Sequence, residues 1–186
     1  MNKLGMILVV LLSLLGIDSQ ASDKTKKELR KQERAAKKLE KERLLMENLD
    51  SIRSSVQSKA FVLQADMLRG RYGTVNVLDA NNFIKINGDQ VVIQTANPHR
   101  IGFNGLGGIT INGQIIQYDI FEDDNAVRIN MQVSTVELGH ITLSMTLGAT
   151  GNAWAHLRGN FGLQVSFNGQ FAALDNLRQF EGMRLF

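Results

Sequence analysis

Apolar and polar residues alternate through Ile-Thr-Leu-Ser-Met-Thr-Leu at 141–147, the pattern of a strand with one buried face. A turn rich in residues that tolerate positive φ, 148–152, leads into a second run at 153–158. After the Gly159-Asn160 break a third run, 162–167, ends in Asn168-Gly169, a pair typical of tight hairpin turns. Upstream the same grammar recurs. Phe61 to Met67 alternates with Phe61, Leu63, Ala65 and Met67 on the inner side. Segments 83–86 and 91–96 flank Asn87-Gly88, and 109–111 and 115–121 flank Asn112-Gly113, so each pair predicts a hairpin. Val127, Ile129, Met131 and Val133 face one way in 126–134, after a turn at Glu122-Asp-Asp-Asn125. Such spacing predicts a mainly β domain: an antiparallel sandwich or partly open barrel of about eleven short strands.

The first third of the chain follows a different period. From Lys24 to Ala60 there is neither proline nor glycine, and Lys, Glu, Arg, Leu, Ala and Gln dominate, which predicts a long charged α-helix. Leu45, Leu49, Ile52, Val56 and Ala60 recur at spacings of four and three, a stripe able to lie on a sheet. Upstream the stripe positions Glu42 and Lys38 are charged. The expected organisation is therefore a leader at 1–21, a basic solvated helix at 22–43, a β-domain at 44–174 whose docking helix is 44–60, and a tail at 175–186. Leu177, Phe180, Met183 and Phe186 give that tail a helical three-residue spacing.

Before the charged helix, Lys3 precedes an apolar block from Leu4 to Leu15, too short to span a bilayer and of the length of a secretory h-region. Ser19 and Ala21 bracket Gln20, which places signal cleavage after Ala21 and a periplasmic address on the mature chain. The sequence has no cysteine, which excludes an amino-terminal lipid anchor, disulfides and Cys-based zinc sites. Charge refines the partner. Residues 23–43 carry 10 Lys or Arg against 5 Asp or Glu, whereas 44–186 carry 10 against 12. The basic character thus belongs to one segment, and the domain itself gives no footprint for nucleic acid. Segment 23–43 invites weak contact with an anionic membrane surface, yet it lacks the large apolar residues of an interfacial helix.

Val165-Ser-Phe-Asn-Gly169, preceded by Gly151-Asn-Ala153 and Arg158, resembles the closing strands of a secreted family found chiefly in Bacteroidota, the domain of unknown function 4251. The charged helix, the Phe61-Val strand and the Ile86-Asn-Gly-Asp89 hairpin are similar as well, so the resemblance spans 44–174. Asn97-Pro98-His99-Arg100 keeps only the proline of the family's pattern there, and Phe167 stands where a tyrosine is usual. The resemblance implies export and a β-domain, and it brings no activity with it.

Catalytic constellations are absent from the primary structure. His99, His140 and His156 are scattered over separate turns and strands, and no Gly-x-Ser-x-Gly elbow occurs. Glu122-Asp-Asp-Asn125 could offer oxygen ligands to a hard cation, but its residues are those of an ordinary hairpin turn, and no metal or other cofactor is expected. The glycines at 102–108 have no following helix to make a phosphate loop. Binding chemistry has more material. Trp154, the sole tryptophan, shares strand parity with His156; Tyr72 adjoins Arg69 and Arg71; His99 and Arg100 share a turn. Aromatics beside arginines are the makings of a platform for a glycan, an anion or another envelope component. The expected function is non-enzymatic binding in the cell envelope. Its competitors are a carrier holding a small apolar ligand in a barrel-like pocket and a hydrolase whose carboxylates meet only on folding.

Overall fold

The computed structural model describes residues 3–71, 73–96 and 106–174, with side chains described from residue 26 onward except at Phe161. The chain divides into two compact units, Met1–Leu44 and Leu45–Phe186. A single helix, α1, runs Lys3–Gln57. In the first unit, residues 26–44 of α1 are exposed throughout, as a stretch with no sustained apolar stripe should be. Local pairs such as Arg43 with Glu40, 2.8 Å apart, lie along its surface.

Among its described residues the second unit contains the last turns of α1 and nine strands: β1 Ala60–Gly70, β2 Gly73–Asn76, β3 Phe83–Asn87, β4 Gln90–Gln94, β5 Thr110–Glu122, β6 Ala126–Thr135, β7 Gly139–Gly148, β8 Asn152–Arg158 and β9 Gln164–Ala173. All pairings are antiparallel, and β9 returns to pair with β1. Eight strands thereby close into a barrel in the order β1-β3-β4-β5-β6-β7-β8-β9. The short β2 folds back on the far half of β1, which β3 leaves unpaired.

An eight-stranded barrel has an interior just wide enough for its own side chains. Here the inner positions form one buried cluster, in which Phe61, Phe167, Ile129, Met131, Leu143 and Met145 are all but inaccessible. Each such side chain contributes roughly 1.5–3 kcal/mol relative to exposure. Leu49, Ile52 and Val56 of α1 belong to the same cluster, with Leu45 packed half-buried against it. The helix stripe therefore closes the barrel end where α1 enters β1.

Polar contacts fasten that closure. Lys59 ends the helix in the left-handed conformation at φ 52°, and its Nζ lies 2.6 Å from Asp89 in the β3–β4 turn. The Tyr118 hydroxyl donates to the carbonyl of Val56 at 3.0 Å, satisfying one of the helix's terminal acceptors. Arg53 lies 3.0 Å from Glu122, a charge contact in which the Nε–H is not aimed at the oxygen.

The described residues form nine strands where about eleven shorter ones were expected, because an Asn-Gly pair has two meanings. At Asn87-Gly88 it is a turn, with Gly88 at φ 59°. Asn112-Gly113 instead lies inside the continuous β5, and Asn168-Gly169 inside β9. Each glycine makes room for a neighbouring strand: a Cβ on Gly113 would collide with the Val133 side chain, and one on Gly169 with the Gln64 backbone carbonyl. The expected inward face of β1 is also corrected at one position. A bulge at Ala65/Met67 turns Met67 outward to pair with Asn168 and brings Leu68 in opposite Phe167. Ala60 begins β1, so the helical stripe stops at Val56.

Candidate functional site on the outer face of β8, β9 and β1

Ala153, Ala155 and Leu157 of β8 are buried inside the barrel, so strand alternation sends Trp154, His156 and Arg158 to the outside. Register then sets their neighbours. Arg158 pairs with Gln164, His156 with Ser166, and Trp154 with Asn168. One strand further, Arg69 pairs with Ser166 and Met67 with Asn168. The result is a small grid of outward side chains with a cationic upper part and an aromatic lower corner.

A hollow of about 510 Å³ opens in the cationic part, lined by Arg69, Gly70, Arg71, His156, Gly162, Gln164 and Ser166. Gly162 sits at φ 75° in a short 3₁₀ turn at 160–162, and neither it nor Gly70 puts a side chain into the space. Among the described residues no carboxylate lines the hollow, and none is paired with Arg69, Arg71 or Arg158.

The polar contacts within the grid define the imidazole. The Arg158 Nε–H can only donate, and it reaches His156 Nε2 at 3.2 Å. Nε2 must therefore hold the lone pair, which assigns the proton to Nδ1. That Nδ1–H donates to Ser166 Oγ at 3.0 Å. A serine beside a histidine invites comparison with a nucleophile and its base, but here the ring nitrogen facing the hydroxyl already carries its proton. The Ser166 hydroxyl hydrogen consequently remains available for an acceptor in the hollow. Two guanidinium groups, a hydroxyl and the Gln164 amide make this a place for an anion.

Among the residues singled out from sequence, the structure brings Arg69, Arg71 and His156 to one hollow and sets Trp154 beside it, 57% exposed. Tyr72, His99 and Arg100 lie outside the described residues, as does the 175–186 tail. Arg158, Gln164 and Ser166 were not among the binding candidates that residue type suggested. Arg158 was recoverable, since it shares the parity of Trp154 and His156; the other two depend on the β8–β9 register.

A larger hollow of about 720 Å³ lies on the outer face of β3 to β6. It carries both Lys85 and Asp89 among neutral amides and hydroxyls, and Asp89 is held by Lys59, so it concentrates no single charge. The acidic turn is likewise engaged: Asp123 reaches Arg128 at 2.7 Å and Glu122 reaches Arg53. Among the described residues no group of three or more His, Cys, Asp or Glu side chains is placed to hold a metal.

Against known families, a model described as Domain of unknown function (DUF4251) matches residues 44–171. The chain belongs to the DUF4251 family. The matched span takes in the closing turns of α1 and all the barrel strands but the last residues of β9. A crystal structure of a DUF4251 family protein from Bacteroides eggerthii is similar with a TM-score of 0.58 and 23% identity, covering 70% of this chain and 90% of that one. At that identity the likeness establishes the fold that DUF4251 proteins share and carries no residue roles. No curated protein matches the chain.

Proposed function

We propose that this DUF4251 protein is a non-enzymatic binding protein of the cell envelope, holding an anionic group of an envelope component on the outer face of β8, β9 and β1. The observation that carries the reading is the hollow formed by Arg69, Arg71, His156 and Ser166, with no acid among the described residues that line it. Adjacent basic side chains with no described carboxylate partner repel one another, and a bound anion relieves that repulsion. The carrier alternative draws less support, because the inward positions of the barrel are taken by one contiguous apolar cluster. A hydrolase built on Ser166 and His156 is disfavoured by the tautomer that Arg158 imposes.

Export is the second part of the proposal and rests on the leader pattern at 1–21. The basic stretch at 23–43, exposed from residue 26 onward, adds weak, salt-sensitive contact with an anionic bilayer surface. Among the described residues no helix is long and apolar enough to cross a membrane.

Titration calorimetry with phosphate, sulfate and galacturonate tests the binding claim. Heat that disappears in Arg69→Ala/Arg71→Ala supports it; no heat with any of the three at low ionic strength rejects it. Cell fractionation with amino-terminal sequencing of the mature chain tests export, and an intact leader on a cytoplasmic protein would reject that part.

A further inference from the structure

Trp154 is the most exposed aromatic side chain of the described barrel strands, ahead of Phe121 on β5 at 50%. Phe61, Phe83 and Phe167 are buried, whereas Trp154 is 57% exposed on a strand whose inward neighbours already fill the core. Burial of a tryptophan is worth more than that of any other side chain, so a ring left on a flat outer wall is an unused contact surface.

Its position relative to the hollow is set by the sheet. Trp154 and His156 are two residues apart on β8, about 7 Å along the strand. Asn168 lies beside Trp154 and Ser166 beside His156, each across one strand spacing of about 4.8 Å. Moving from Trp154 toward Arg69 therefore crosses an apolar ring, then an amide and a hydroxyl, then a guanidinium. Neutral hydrogen-bonding groups thus separate the ring from the charge.

Resting on the anion-binding reading above, we infer that the ligand is an acidic oligosaccharide. One sugar lies with its C–H face on the Trp154 indole, its hydroxyls reach Asn168 and Ser166, and the carboxylate or sulfate of the adjoining sugar lies between Arg69 and Arg71. The sequence of groups fits this class because a sugar presents an apolar face and a hydroxyl edge in one ring, and an acidic neighbour adds charge a sugar's length away. A free inorganic anion would use the arginines and leave the indole idle. A wholly neutral glycan would use the indole and leave two guanidinium groups uncompensated. Gly70 and Gly162 leave the cationic end open enough for a substituted ring.

Because Trp154 is the chain's only tryptophan, its fluorescence reports on this corner alone. The mature protein is titrated with a galacturonic acid trimer, a sulfated disaccharide, a neutral trimer such as maltotriose, and sodium sulfate, and each affinity is also measured by calorimetry. The expected result is a shift in Trp154 emission with at least one of the two acidic sugars, with affinity about tenfold or more above that for sulfate. Trp154→Ala should reduce the acidic-sugar affinity about tenfold and leave sulfate binding unchanged. Trp154→Phe should recover part of the loss, and both variants should melt with the wild type because the ring is on the surface. Equal affinities for sulfate and the acidic sugars, indifferent to Trp154→Ala, would overturn the oligosaccharide while leaving the anion site standing. Maltotriose binding as tightly as the acidic sugars would overturn it as well. Failure of every ligand to bind would remove the anion site itself.

Discussion

Basic side chains at the two ends of the barrel meet opposite surroundings. Where α1 closes the barrel, Arg53, Lys59 and Arg128 each reach a carboxylate, from Glu122, Asp89 and Asp123 respectively. On the outer wall toward the other end, Arg69, Arg71 and Arg158 have no described acid to meet, and the one polar bond from Arg158 goes to a neutral ring nitrogen. The same residue types are thus structural at one end and chemically unspent at the other. What separates them is pairing, which composition does not record and register does.

The sharpest way to break this comparison is to attack the closed end through its apolar part. Ile52→Ala removes a fully buried side chain from the cluster and should cost about 2–5 kcal/mol in urea unfolding. Next in size is Arg69→Ala/Arg71→Ala, which should lower anion affinity at least tenfold by calorimetry with no loss of melting temperature, since both side chains are exposed. A large loss of stability there would mean that these arginines are structural after all. At the closed end Arg53→Ala should cost only about 0.2–1 kcal/mol, because both it and Glu122 keep contact with solvent, and should leave anion affinity unchanged.

Alkaline titration sharpens the contrast further. Burial pushes the Tyr118 phenol well above its ordinary value of 10.0, and its hydroxyl donates to the Val56 carbonyl. A group whose folded pKa is raised stabilises fully below the unfolded value and loses that contribution as pH rises past it. Wild-type stability should therefore decline from about pH 10 upward, and Tyr118→Phe should flatten the decline in pH-dependent urea melts. The smallest expected effect is spectroscopic: Arg158→Ala frees His156 Nε2, so the nitrogen chemical shifts of that ring should move toward a mixture of tautomers.

Much of the barrel was legible in the chain. Val127, Ile129, Met131 and Val133, and likewise Ile141, Leu143, Met145 and Leu147, all proved buried, because alternation is dictated by the pleat and needs no tertiary information. The helix stripe was legible at Leu49, Ile52 and Val56 for the same kind of reason. Gly113 and Gly169 were misleading since a glycine that admits a neighbouring strand and a glycine that turns the chain look identical until the neighbour is known. Met67 was placed inward because a bulge costs one residue of parity without any residue type announcing it. The candidate site was half legible: Arg69, Arg71, Trp154 and His156 stand out as types, while Ser166 and Gln164 acquire meaning only once β9 lies between β8 and β1.

Closure of the barrel has a temporal side. Strands β4 to β9 each pair with the one before, and β3 pairs with β1 across the short β2 excursion, so these ladders can form between near neighbours in the chain, while the β1–β9 seam joins residues about a hundred positions apart. During synthesis from the amino terminus, one border of β1 waits for the last strand to emerge. Until then the sheet carries two raw borders, and that interval is when the protein is most open to sticking to a copy of itself. Substituting Gly169, which permits the tightest backbone approach along that seam, would prolong the wait as well as loosen the finished ring.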